Sequence, residues 1–228
     1  MSGPPPRVDW PDLETRQANF DRMYATQKDR FAGPPSRFSG WALERISRRF
    51  TEGPLLDLGC GLGRDSRRLA EAGYTVRATD YSRTAIERAK ADPRNPSRLR
   101  FERADAVGAL DSTATGSLVA VYSHALYMML PEEELKAVFR GVRRVLRPGG
   151  LHLFAVRSVT DPVAGQGEEV APDVWRRATA SLGGRPDAAP YRYFRPESLD
   201  RLTATGFERV EAELQGDVHF WFVADRRP

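Results

Sequence analysis

Short apolar runs alternate with segments whose apolar residues recur every three to four positions, from about residue 55 onward. The runs at 55–58, 75–79, 99–103, 118–122 and 151–156 have strand length and are rich in Leu, Val and Phe, as buried strands are. The segments between them, at 64–72 and 82–90, have helical length. The clearest helix starts at Pro131, a favoured first position. It places Glu132, Glu133 and Glu134 at the positive end of the dipole and aligns Leu135, Val138, Phe139, Val142 and Leu146 on one face. Residues 196–206 predict a last helix, and 207–214 and 219–224 predict two strands joined at Gln215-Gly216-Asp217. Alternating β and α elements imply an α/β fold with a mainly parallel sheet and helices on both faces.

Outside this alternation lie two further segments. Residues 1–10 are proline-rich and expected to fray. Residues 11–32 carry Leu13, Phe20, Met23, Tyr24 and Phe31 among many charges, which predicts a helix across the top of the domain. Gly33-Pro34-Pro35-Ser36 breaks it, and 41–50 predicts a second helix with Trp41, Leu43, Ile46 and Phe50 apolar. The expected organisation is therefore an N-terminal helical lid region at 1–52 and a main domain at 53–228. Within that domain, 157–195 is rich in Gly, Pro, Asp and Glu; a connection of this length predicts a lid-like insert with a short helix near 173–182.

Composition narrows the class. The chain has 228 residues, 40% of them hydrophobic, enough for one large core. A single cysteine, Cys60, excludes an intrachain disulfide and fits a reducing cytoplasm. The N-terminus lacks the apolar segment of a signal peptide, and no run approaches the roughly 20 apolar residues that span a bilayer. The net charge is +4, and the arginines spread along the whole chain instead of forming one stripe, which counts against nucleic acid as a partner. An apolar helix face looks alike in a core and in a homodimer, so monomer and homodimer both stay open. The three histidines have no metal-ligand spacing, and no metal site is expected.

The chemistry concentrates at Leu55-Leu-Asp57-Leu-Gly59-Cys60-Gly61-Leu-Gly63-Arg64-Asp65. Glycines at alternate positions permit a sharp turn and close ligand approach, and the turn leads to a helix N-terminus. Arg64 stands where a dinucleotide fingerprint needs its third glycine, so a nicotinamide oxidoreductase is disfavoured. Asp80 and Asp105 end the next two strand-like runs, and Pro148-Gly149-Gly150 precedes the fifth.

These four features, in this order, resemble class I S-adenosylmethionine (SAM)-dependent methyltransferases over about 53–158. The resemblance implies a Rossmann-like seven-stranded sheet with an antiparallel last strand, and SAM as cofactor. It assigns the methionine end to Asp57, Gly59, Cys60 and Gly61, the ribose to Asp80, and the adenine to Tyr81, Asp105 and Ala106, with Ser123 also at the cofactor. A fainter resemblance, carried by Gly63-Arg64-Asp65-Ser66 and Pro35-Ser36, is to the thiopurine and tellurite-resistance methyltransferase branch, which acts on small, soft or compact acceptors.

Methyl transfer needs an aligned nucleophile and, for a neutral hydroxyl or an ammonium, a base. Histidine is the side chain suited to that role near neutral pH, and His124 lies after the fourth strand; packing over the cofactor is the alternative. Arg157, after the fifth strand, is a second catalytic-site candidate, holding an anionic or polar group; a salt bridge anchoring the insert is the alternative. Tyr24, Arg37, Tyr127 and Tyr191 are candidate substrate contacts, each with a packing role as the alternative. The leading expectation is a cytoplasmic methyltransferase of small molecules. A non-catalytic SAM-binding regulatory subunit and an RNA or protein methyltransferase remain competing readings, the last motivated by a pI of 9.4.

Overall fold

The computed structural model describes residues 8–27, 33–176 and 189–228. Two helices come first, α1 (Leu13–Thr26) and α2 (Arg37–Ser47). Asp12 caps α1 by accepting from Thr15 N, and Ser36 caps α2 by accepting from Ser39 N. That cap starts α2 four residues before the apolar pattern alone would. The last part of the first predicted helix, with Phe31, lies outside the described residues.

The alternating region then runs β1 (Pro54–Leu58), α3 (Arg64–Glu71), β2 (Thr75–Asp80), α4 (Arg83–Lys90), β3 (Leu99–Arg103), α5 (Ala106–Asp111), β4 (Leu118–His124), α6 (Glu132–Val145) and β5 (Leu146–Arg157). A single 3-10 turn, Tyr127–Met129, precedes α6. Helix α5 had no periodic pattern to announce it; Asp105 caps it through its side chain. In the insert, β6 (Glu168–Ala171), β7 (Val174–Arg176) and β8 (Tyr191–Arg192) form a small antiparallel sheet. The helix expected at 173–182 is therefore not formed at 174–176, where buried Val174 and the following Trp175 pair with neighbouring strands; 177–188 lie outside the described residues. The chain closes with α7 (Pro196–Thr203), β9 (Glu208–Gln215) and β10 (Phe220–Arg226).

The main sheet has the order β3-β2-β1-β4-β5-β10-β9. Strands β1 to β5 pair in parallel, and β10 is antiparallel to both β5 and β9. Two cores flank it. One joins Phe38, Ala42 and Ile46 of α2 to Leu69, Ile86 and Tyr122; the other joins Leu135, Val138, Phe139 and Val142 of α6 to Phe154 and Leu199. Each buried Leu, Ile, Val or Phe among them contributes about 1.5–3 kcal/mol. The strand order reverses between β1 and β4, and a crevice opens there beyond the carboxyl ends of the strands, where ligands of open α/β sheets bind.

Candidate functional site

A cavity of about 260 Å³ fills that crevice, roofed by α1. Its floor is the turn from β1 to α3. Gly59 and Cys60 donate to the carbonyl of Thr79 at 2.8 and 2.9 Å, which ties the turn to β2. Gly59, Gly61 and Gly63 all have left-handed φ, at 73°, 53° and 76°. A Cβ on Gly63 would lie 2.3 Å from Cζ of Phe101, and one on Gly61 would lie 2.8 Å from the Tyr24 hydroxyl oxygen. The turn is thus packed from below by β3 and from above by α1.

Four carboxylates surround this floor. Asp57 is buried, with Ser66 Oγ donating to it at 2.6 Å. Burial pushes its pKa up to about 8, helped by the neighbouring charges of Asp65 and Asp80. Asp80 accepts from Gly61 N and Ser82 N, both at 2.9 Å. Burial raises its pKa to about 6 against the pull of those two hydrogen bonds. Asp105 accepts from Val107 N and Gly108 N at 3.0 Å, so its carboxylate both caps α5 and borders the cavity. Burial also pushes the Cys60 thiol up, so it is not a thiolate at neutral pH.

The fourth carboxylate is Asp65, in the first turn of α3. Ser36 N and Oγ donate to it at 2.6 and 2.7 Å, and the Tyr122 hydroxyl at 2.8 Å. Nδ1 of His124 lies 3.2 Å from its Oδ2. Burial would raise the Asp65 pKa; hydrogen bonds from His124 and Ser36 outweigh it and hold the carboxyl well below the usual range. His124 ends β4, and the next residue, Ala125, takes φ 63°, rare without glycine. The sharp turn there brings His124 and Leu126 onto the same cavity wall.

The roof is tied down at two points. Arg16 of α1, 4% exposed, grips Glu134 of α6 through both carboxylate oxygens. Asp21 of α1 accepts from Ser82 Oγ and Thr84 N at the start of α4. Phe20 packs on the Tyr81 ring, centroids 5.5 Å apart. Among the described residues, no group of three or more His, Cys, Asp or Glu is arranged to hold a metal, and no helix is long and apolar enough to cross a membrane.

Residues 55–150 match the family described as a methyltransferase domain. The cypemycin N-terminal methyltransferase of a Streptomyces species is 35% identical over 111 residues, which are 47% of this chain and 42% of that protein. Over that segment the chain is similar to methyltransferases. The 1,6-didemethyltoxoflavin-N1-methyltransferase of Burkholderia thailandensis, solved with its substrate and S-adenosylhomocysteine, superposes with a TM-score of 0.73 at 17% identity, covering 98% of this chain and 93% of that one. A structure described for conversion of a disulfide into a thioacetal during echinomycin biosynthesis superposes with a TM-score of 0.68 at 26% identity, covering 93% of each chain. The chain spans 42–43% of the length of the curated relatives it matches.

The cavity wall includes Tyr24, Asp57, Gly59, Cys60, Gly61, Asp80, Tyr81, Asp105, Ala106, His124 and Tyr191. Four other sequence-predicted residues are absent from that wall. Arg37 is 70% exposed and pairs with Asp217. Ser123 donates to the Leu58 carbonyl between strands. Tyr127 is buried in the core beneath α6, with its hydroxyl 2.7 Å from Nε2 of the buried His152. Arg157 pairs with the buried Asp161 and lies over the Phe220 ring, so it anchors the start of the insert. Conversely, Arg16, Phe20, Asp65 and Glu134 line the cavity without having been singled out for it. Only Asp65 carried a local signal, an acid in the first turn after the glycines.

Proposed function

We propose that this chain is a SAM-dependent methyltransferase that transfers a methyl group to a small-molecule acceptor by in-line displacement. One observation carries the reading: a single cavity joins a turn too tight for a Cβ, the strand-end acid Asp80 and the imidazole of His124.

The residues present fit the cofactor. With no Cβ at Gly59 or Gly61, the backbone of the turn is open to its amino-acid end beside Tyr24. Asp80 retains lone pairs for two ribose hydroxyls. Tyr81, Ala106 and Asp105 border a slot for a flat base. When bound, the sulfonium supplies an electrophilic methyl carbon with a neutral thioether as leaving group. The protein's part is to exclude water and to aim the acceptor. Helix α1 and its ties to Glu134 and Ser82 do the first. For the second, His124, Met128, Met129 and Tyr191 form the wall nearest the insert, and we assign the acceptor to that end. The names of the two methyltransferase relatives described above, an N-terminal and an N1-methyltransferase, support a nitrogen acceptor.

The test begins with calorimetric binding of SAM to the purified chain. It continues with S-adenosylhomocysteine release in the presence of thiols, phenols, amines, carboxylates, selenite and tellurite. Binding with release on one acceptor class supports the reading. Binding without release on any class would favour a regulatory SAM-binding role, and absence of binding would overturn both.

A further inference from the structure

We propose that Asp65 is a positioning residue that holds His124 with its proton on Nδ1. Nε2 is then left as the proton acceptor, and the methyl acceptor is accordingly a protic nucleophile, a hydroxyl or an N–H group. This rests on the methyltransferase reading above and deepens it.

The hydrogen-bond arithmetic around Asp65 is one-directional. A backbone N–H of Ser36 can only donate, and it stands 2.6 Å from Oδ1. The hydroxyls of Ser36 and Tyr122 both reach Oδ2 as donors. A carboxylate has no hydrogen to offer, so the fourth neighbour, Nδ1 of His124, must carry one. In neutral imidazole the lone pair then belongs to Nε2, on the opposite edge of the ring. The ring is held from the sides as well: Phe38 lies 5.8 Å away and Phe220 5.7 Å, centroid to centroid.

The charged and titratable groups around the pair are few. Helix α3 presents Asp65 and Arg64, whose Nε is 3.8 Å from Oδ1. Strand β4 presents Tyr122, and β1 presents Asp57 behind them. Helix α2 and β10 present the rings of Phe38 and Phe220, and β5 brings Arg157 over the Phe220 ring. An imidazolium formed here would thus meet a carboxylate already bound in place.

A cap for α2 would not require a buried carboxylate, since Ser36 already caps that helix with its own hydroxyl. A carboxylate behind a histidine has a chemical use: it fixes the tautomer and stabilises the charge that proton transfer creates. The lone pair of the acceptor bonds to the methyl carbon as the carbon–sulfur pair leaves with sulfur. The acceptor's proton passes to Nε2 and later to water, restoring the neutral ring. A thiolate, a halide or an oxyanion brings no such proton and would not need this arrangement.

The experiment uses nitrogen-15-labelled full-length chain without ligand. Long-range proton–nitrogen NMR reads the protonation of each ring nitrogen, with His124 assigned through His124→Gln. The expected spectrum shows His124 protonated on Nδ1 at about pH 8. In Asp65→Asn the tautomer should shift toward Nε2–H. Protonation on Nε2 in the wild type, or an unchanged tautomer in the variant, would overturn the proposal. The wild-type spectrum decides even if the variant does not fold.

With SAM and a phenol or an N–H heterocycle, Asp65→Asn should lower kcat on the order of 10²-fold. KM should change much less, the acid limb of the pH profile should move down, and Asp65→Glu should recover part of the rate. Turnover of iodide or hydrosulfide alone would overturn the acceptor class. Failure of the wild type to bind SAM at all would instead overturn the methyltransferase reading.

Discussion

The hydroxyl oxygen of Tyr24 stands 2.8 Å from the point that a Cβ on Gly61 would occupy. Helix α1 therefore rests directly on the glycine turn, and roof and floor of the cavity share one contact. Gly61→Ala adds a methyl group at a φ of 53°, which by itself costs about 1–2 kcal/mol. It also pushes against Tyr24. We expect SAM affinity to fall at least about tenfold by calorimetry. Adding Tyr24→Phe removes the clashing oxygen and should restore part of it; a double variant no better than Gly61→Ala would show that the contact is irrelevant.

Asp80 has its pKa raised to about 6 by burial. A carboxylate accepts both ribose hydroxyls; a carboxylic acid does so less well. SAM affinity should thus be constant above about pH 7 and fall below about pH 6, approaching tenfold per unit. Asp80→Asn should bind weakly and without this pH dependence. Isothermal titrations at four pH values distinguish the two.

Asp57 has the opposite bearing on stability. Its folded pKa of about 8 exceeds the model-peptide value of 3.8, so between about pH 4 and 8 the folded state holds a proton that the unfolded state has lost. Stability from this group is present at low pH and is lost as pH rises through 8. Asp57→Asn keeps the acceptor for Ser66 and removes the penalty. Urea denaturation at about pH 8 should find the variant more stable by roughly 1–3 kcal/mol; a destabilised variant would contradict the assignment.

His152 works on the acid side. It is fully buried among Tyr127, Phe139, Phe154 and Phe207, and burial lowers its pKa to about 3. Between about pH 3 and 6.5 the unfolded chain takes a proton that the folded one refuses, so stability falls as pH drops below 6.5. His152→Gln should flatten this part of the stability curve. An unchanged acid slope in denaturation melts would count against a neutral, buried ring.

Much of the scaffold was legible in the linear pattern. The apolar face of α6 is buried at Leu135, Val138, Phe139 and Val142, the positions that recur at helical spacing. The glycine turn announced itself because its constraint is local: backbone with positive φ selects glycine wherever the neighbours lie. The small sheet of the insert was misread, since the short stretch around Val174 and Trp175 has no period long enough to separate strand from helix. Arg37 and Tyr127 were read as site residues from their place in the chain, but a side chain's direction depends on which face its element buries.

The sequence alone determined the strands of the main sheet and the glycine turn, because each depends on residues a few positions apart. Tertiary structure decided which side chains meet. Asp65 gathers donors 29, 57 and 59 positions away, and Arg16 finds Glu134 across 118. Those contacts follow from β4 lying beside β1, with Leu56 opposite Val121, and from α1 folding back over their ends. Period and propensity carry no record of such neighbours, because the free energy that brings them together belongs to the packed sheet and not to any one segment.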